Sequence, residues 1–314
     1  VSCGIVVDSS ASLPPWLAEK YGITVVPVTI QRGASTYRDG CDLTTEQFYD
    51  LLAKDPPLKT SQPSPGDFIT AYRSLKSRFQ SIVSIHVTAK ASGTCQAAML
   101  ARTALPEMDI EVVDSGTTSM ALGFIAIAAA CAASVGRTKQ DILRVIQSAK
   151  ERVHVYVALS TLNQLRRSGK IGLGQSLIGS LLSVKPVLTM REGMLEVCDR
   201  VRTYPRAFER VVDLIVDAAG ESTVKLAVIY SKTRAEAVRL ASVLQTRLKC
   251  SEVFTCDIGA ALAVHGGPGM IGAAIMKLPP AYSQEVPHHL PGLGRLDDPV
   301  PGSVVEARLA GQGL

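Results

Sequence analysis

Met120 to Val135, MALGFIAIAAACAASV, runs sixteen residues without a charge. A helix that is apolar all round offers no face to water and must be enclosed by protein. The segment falls short of the roughly 20 residues that span a bilayer, and it is rich in Ala rather than Leu. It therefore reads as a helix buried on all sides within a soluble fold. A chain of 314 residues, 46% of them hydrophobic, is long enough to enclose it, with room for two domains.

Around that helix, strands and helices alternate. CGIVVDSS (3–10) is an apolar run that delivers Asp8, Ser9 and Ser10 to the C-terminal edge of a strand. Ser12 and Pro14 open a helix that Gly22 closes, and ITVVPVTI (23–30) is a second strand. Thr44 and Gln47 have the spacing of a capping box. Ser64, Pro65 and Asp67 supply the cap and first turn of a helix to about Arg78. Thr60 and Ser61 lie just upstream, in a predicted loop, with their hydroxyls uncommitted. IEVVDSG (110–116) repeats the ending of the first strand, and Thr138 caps a helix carrying Ile142, Val145 and Ile146. Alternation at this spacing predicts an α/β fold with parallel pairing. Ligands of such sheets bind at the carboxyl edge, where Asp8, Ser92 and Asp114 should collect.

Ser92 stands at a particular joint. Ile82 to Val87 reads as a buried strand, Gln96 to Arg102 as a helix, and Ser92-Gly93-Thr94 connects them. The first N–H groups of such a helix, with the positive end of its dipole, can hold a carboxylate or phosphate oxygen, and the Ser92 hydroxyl adds a donor. The alternative is that Ser92 only caps its own helix.

From HVYVAL (154–159) the texture changes. A short helix closed by Gly169 follows, then KPVLTMREGMLEVCDRVRT (185–203), which alternates around Glu192-Gly193 as an antiparallel hairpin. Thr203 and Pro205 open an amphipathic helix, and VKLAVIY (224–230), a helix to Lys249 and EVFTCDIG (252–259) complete a second α/β unit. The expected organisation is an N-terminal α/β domain over 1–152, a C-terminal α/β domain over 153–278 and an irregular tail over 279–314. That tail holds six prolines and five glycines and has no apolar period.

The net charge of +5 comes without a dense Lys/Arg run, so nothing marks a nucleic-acid arm. The seven cysteines are scattered without a C-x-x-C pair, which fits reduced thiols in a cytoplasmic protein and no structural metal. No secretory signal opens the chain. The densest glycine cluster, His265 to Gly272, contains G-x-G-x-x-G, yet too late for the rest of a dinucleotide-binding unit to follow. Its HGGPG resembles a hydrolase oxyanion loop, but no G-x-S-x-G elbow lies downstream. These glycines are read as letting backbone approach a ligand or another strand. His265 stands before them, at a strand-like end, where a structural role and a functional one are both open.

Taken in order, D-S-S-x-S-L-P, K-T-S-Q-P-S, A-S-G-T, V-V-D-S-G, L-R-R-S-G-K-I-G, K-P-V-L-T-M-R-E-G, V-R-T and H-G-G-P-G-M-I-G resemble the DegV family of bacterial fatty-acid-binding proteins over about residues 3–278. The resemblance implies two α/β domains, with parallel and mixed sheets, and one fatty acid in a tunnel between them. It implies no cofactor beyond that acid. Members such as the FakB proteins present the acid to a separate fatty-acid kinase subunit, which phosphorylates its carboxylate.

Carried onto this chain, the carboxylate ligands are Thr60, Ser92 and His265, within motifs that also hold Ser61, Gly93, Thr94 and Gly266. The basic residues for the partner or the phosphate are Lys170, where Arg is more usual, and Arg202. Lys keeps the charge but lacks the planar fork of Arg. A saturated chain of roughly C14–C18, with ~14 methylenes at ~0.8 kcal/mol each, gains on the order of 11 kcal/mol on burial, several times what the head group can add. Met99, Met120, Leu122, Ile125 and Ile178 are candidate tunnel lining, with ordinary core as the other reading.

Two further readings stand beside the carrier. In one, the protein is an enzyme that uses Ser92 or His265 covalently in acyl or phosphoryl transfer on a lipid-like substrate. In the other, Arg166, Arg167, Arg200, Arg202, Arg206 and Arg210 form a basic face for transient contact with an anionic membrane or with nucleic acid, with solvated surface or partner docking as the alternative.

Overall fold

In a computed structural model of the chain, residues 2–54, 57–161, 164–165 and 184–279 are described. Three sheets are built from them. The first is parallel, in the order β2-β1-β6-β7, from Ile23–Val26, Cys3–Asp8, Ser81–His86 and Asp109–Asp114. The second is mixed and six-stranded, in the order β10-β9-β8-β13-β11-β12. Its strands are β8 (Val153–Ala158), β9 (Lys185–Arg191), β10 (Met194–Val201), β11 (Val224–Tyr230), β12 (Cys250–Asp257) and β13 (Ile271–Lys277). All its pairings are antiparallel except β11 with β12. The third is a small antiparallel sheet, β4-β3-β5, from Ser35–Arg38, Thr29–Arg32 and Lys59–Ser61.

The charge-free segment forms helix α5 (Ser119–Ser134), numbered after α1 (Pro15–Lys20), α2 (Thr45–Leu52), α3 (Pro65–Leu75) and α4 (Thr94–Thr103). Its residues 119–130 are enclosed between the two larger sheets, packing on β1, β2 and β6 on one side and on β8 and β13 on the other. The expected burial on all sides does not extend to its end: the last turn emerges past the sheets, with Cys131 and Ser134 exposed and Val135, just beyond, 73% exposed. The strands show the period-two alternation that this position demands. Ile5, Val7, Val83 and Ile85 join the α5 core, whereas Val6 and Ile82 face α3 and α4 on the opposite side. Likewise Ala274 and Met276 of β13 join the α5 core. Ala273 and Ile275 face α7 (Tyr204–Ala219) and α8 (Arg234–Arg247). Helix α6 (Lys139–Lys150) packs along α5. A helix with apolar residues on every side is the right element for a layer that two sheets share.

The predicted strand 23–30 is divided between two sheets. Pro27 has no N–H to continue the parallel ladder. The Val28 amide then leaves the sheet to donate to Ser9 Oγ at 3.0 Å, and β3 begins the small sheet. Thr60 and Ser61 lie in β5 rather than in a loop, opposite Ile30 and Thr29. His265 lies in a short helix, α9 (Ala260–Gly266), and not at a strand end. Of the glycines that follow it, Gly272 lets a strand approach: a Cβ there would sit 2.4 Å from the Tyr156 carbonyl oxygen of β8. Arg166, Arg167, Lys170, Ile178 and the tail from 280 onward lie outside the described residues. No helix among the described residues is long and apolar enough to cross a membrane.

Phe124, wholly buried in α5 and 6.3 Å from the Phe254 ring of β12, ties the layers together. Phe124→Ala is expected to cost about 3–5 kcal/mol of stability, measured by the denaturant midpoint. A loss below about 1 kcal/mol would mean that α5 does not bridge the sheets as described.

Candidate functional site

The carboxyl edge of the parallel sheet is built on one buried carboxylate. Asp8 accepts the Ser10 amide at 3.0 Å, the Val87 amide at 3.0 Å and His86 Nδ1 at 3.1 Å. Behind it the Tyr72 hydroxyl donates to Ser84 Oγ at 2.9 Å, which in turn meets His86 Nε2 at 2.7 Å. All four side chains are inaccessible to solvent. Burial alone would raise the Asp8 carboxyl, but the hydrogen bond and charge of His86, with the Val87 and Ser10 amides, outweigh it and hold it below its ordinary range. Asp8 thus stands at the expected edge but is committed to fixing two turns, 9–11 and 87–93, against each other. Asp114 has a similar task, accepting the Gly116 amide at 2.8 Å and the Ala89 amide at 3.2 Å.

Those turns form one wall of a cleft open to solvent, a cavity of about 150 Å³ within about 780 Å³ of empty space. Thr60, Ser61, Ser92, Gly93 and His265 all line it. Thr60 Oγ1 and His265 Nε2 are 2.8 Å apart, joining β5 to α9 across the chain. Ser92 Oγ meets Thr94 Oγ1 at 2.8 Å and lies 3.4 Å from the Thr94 amide, while Gly93 occupies the cap position of α4. The polar part of the wall is hydroxyls, the Gln62 carboxamide and one imidazole. The rest is apolar, from Val28, Val87, Leu165, Met190, Leu195 and Leu262. An amphipathic cleft of this kind suits a ligand with a small anionic head and a hydrocarbon body.

Met190 and Leu195 come from the β9–β10 hairpin, whose turn residues Glu192 and Gly193 both have left-handed backbone, φ 48 and 76. That turn is fastened to the Ser92-bearing loop. Thr88 Oγ1 donates to the Gly193 carbonyl at 2.9 Å, and Lys90 Nζ to the Glu192 carbonyl at 2.7 Å.

Several expected residues lie elsewhere. Thr94 is wholly buried beneath Ser92 and does not line the cleft. Gly266 packs against Met270, whose Sδ would be 2.5 Å from an added Cβ, so its smallness accommodates core rather than ligand. Arg202 is exposed just past the end of β10. It is seven positions along the chain from Leu195, a path of at most about 23 Å at about 3.3 Å per residue. Met120, Leu122 and Ile125 are closed core and Met99 is 44% exposed, so none of the four lines the cleft.

The lining also takes in Ser10, expected at the strand's C-terminal edge, Gln62 of the K-T-S-Q-P-S motif, and Thr88 and Thr118, which carry no sequence signal. Ser10 and Thr118 are set by two strained neighbours, Ser12 (φ 51) and Ser119 (φ 54), whose hydroxyls are 3.2 Å apart. Non-glycine residues hold such backbone only where their surroundings over-determine it. Here the Ser12 hydroxyl also donates to the Ile258 carbonyl at 2.8 Å. Among the described residues no group of three or more His, Cys, Asp or Glu is placed to hold a metal.

Close to α9 two buried acids have raised pKa values. Burial pushes Asp39 up to about 6, against hydrogen bonds from Ser9 and the Ala261 and Ala260 amides and with a smaller push from Asp257. Burial also raises Asp257, opposed by the Gly259 amide. The raised value means that the folded state keeps the Asp39 proton after the unfolded chain has released it. Stability therefore falls as pH rises from about 4 to about 6, by up to about 3 kcal/mol, and is level above that. Asp39→Asn should remove this fall, so that the two stability curves from pH-dependent denaturation diverge across that window. Parallel curves would contradict it.

The model of the family described as "Uncharacterised protein, DegV family" matches residues 2–278. A DegV domain-containing protein of Streptomyces coelicolor is 36% identical over 273 residues, 86% of this chain and 97% of that protein. Among solved structures, a DegV family protein from Thermus thermophilus described by its fatty-acid binding superposes with a TM-score of 0.83 at 30% identity. The match covers 88% of this chain and all of that one. DegV of Bacillus subtilis, described as a fatty acid binding protein, superposes with a TM-score of 0.81 at 28% identity, over 88% of this chain and 99% of that one. The parallel sheet, the mixed sheet and their order along the chain are thus those of a known α/β fold, and the chain belongs to the DegV family.

Proposed function

We propose that this protein binds one long-chain fatty acid, roughly C14–C18, in the cleft, with the carboxylate at Thr60, Ser92 and His265 and the chain along the apolar wall. Ser61 and Gly93 complete the head-group rim. The observation that carries this reading is the 2.8 Å Thr60–His265 contact in a cleft that Ser92 also lines and whose remaining wall includes Val28, Val87, Leu165, Met190, Leu195 and Leu262. The fatty-acid binding of the Thermus thermophilus and Bacillus subtilis relatives supports it. In this reading the chain divides near Arg152 into two units that embrace the ligand, and the protein is a cytoplasmic carrier. A separate fatty-acid kinase subunit phosphorylates the carboxylate, and Lys170 and Arg202 serve that docking or the phosphate. The exposure of Arg202 suits contact with a partner rather than with the acid in the cleft.

The enzyme reading has less support. A serine nucleophile needs its base within hydrogen-bond reach. The hydroxyl close to Ser92 is that of Thr94, and His265 Nε2 is directed at Thr60.

If the head group is recognised as a carboxylate, palmitic acid binds about 10- to 100-fold tighter than hexadecanol, the difference made by hydrogen bonds to a charged group. Thr60→Ala and His265→Ala should each shrink that gap by weakening the acid and leaving the alcohol unchanged. Equal affinities of the parent protein for acid and alcohol, measured by competition against a fluorescent lipid, would refute the assignment.

A further inference from the structure

The helix that carries His265 is not self-sufficient. Helix α9 has seven residues, and isolated helices shorter than about 12–15 residues are marginal in water. Its N-cap residue is Gly259, with φ 84 and no side chain to accept the first amides. The missing acceptor comes from far away in sequence. Asp39, 5% exposed, takes the Ala260 amide on Oδ1 at 3.1 Å across a separation of 221 residues. The Asp39 backbone is itself fixed, because its amide donates to the Val28 carbonyl at 2.9 Å, and Val28 lines the cleft. Asp39 follows β4 of the small sheet directly. Thr60, bonded to His265 at the other end of α9, lies on β5 of the same sheet. Helix α9 also packs on β3 and β5 of that sheet, as it does on α2 and the 9–11 turn.

We infer that Asp39 is a positioning residue for His265: its carboxylate is the N-terminal cap that Gly259 cannot supply, so that one three-stranded sheet holds α9 at both ends. His265 lies five positions after Ala260, about 7.5 Å along a helix axis. Without the cap, the Ala260 amide loses its acceptor and the first turn of α9 frays. The imidazole then loses its fixed place against Thr60. The inference rests on the fatty-acid reading only for its effect on affinity; its effect on His265 is independent of any ligand.

The test uses the full chain, stripped of lipid, and two readouts: the imidazole nitrogen resonances of His265 and the affinity for palmitic acid. Asp39→Ala is expected to shift the His265 resonances as Thr60→Ala does, and to weaken palmitic acid binding about two- to thirtyfold, the range of a lost cap. Asp39→Asn keeps an oxygen for the Ala260 amide and should leave both readouts close to the parent. Should Asp39→Ala fail to fold, Asp39→Ser, whose side chain is one bond shorter, takes its place with the same readouts. Unchanged His265 resonances in the Ala or Ser variant, whatever the melting temperature, would overturn the inference. So would an Asn variant as disturbed as the Ala one. Shifted resonances with unchanged affinity in both Asp39→Ala and His265→Ala would leave the positioning role standing and refute the carboxylate assignment instead.

Discussion

The burial of α5 is the constraint from which the rest follows. The stretch 119–130 of this helix carries no charge and no polar face to turn toward water, so a sheet is needed on each side of it. Here it has both, with Val7 and Ile85 against one side and Ala274 and Met276 against the other. This shared layer sets the carboxyl edge of the parallel sheet beside the mixed sheet. The cleft is the space left where the two edges meet. Ser10, Val87 and Thr118 from the first sheet's side then face Met190 and Leu195 from the second.

Within that frame the polar groups divide into those that fix the walls and those that face the cavity. Asp8 is the main support, an ionisable group in the interior that is tolerable because three donors converge on it. Asp114, the strained Ser12–Ser119 pair and the Thr88–Gly193 bond hold the neighbouring turns. The hydroxyls of Thr60 and Ser92 and the His265 imidazole line the cavity itself. In the proposed function their arrangement sets which end of the fatty acid is held by polar groups, while the aliphatic wall supplies most of the attraction.

Much of the scaffold was legible in the sequence because its signals are local. The capping boxes Thr44–Gln47 and Ser64–Asp67 both close as their spacing predicts, and the Glu192-Gly193 turn adopts the left-handed pair that hairpins favour. The parallel pairing followed from alternating strands and helices. The small sheet was not legible, since strands of three and four residues are too short to show a period. Nor was α9, which owes its start to a carboxylate 221 residues away. For the same reason the sequence could draw attention to Thr60, Ser92 and His265 but not to Thr88 or Thr118, which reach the cleft only through tertiary contacts. Methionine and leucine positions in α5 looked like tunnel lining because apolar residues in a helix carry no mark that separates cavity wall from closed core.

The most direct measurement is to denature the purified protein, extract it with solvent and quantify any bound lipid by mass spectrometry. About one equivalent of unmodified fatty acid per chain, in the C14–C18 range, is expected, released without a covalent adduct. An empty protein that takes up no added fatty acid, or an acyl group left on Ser92 or His265, would contradict the proposed function.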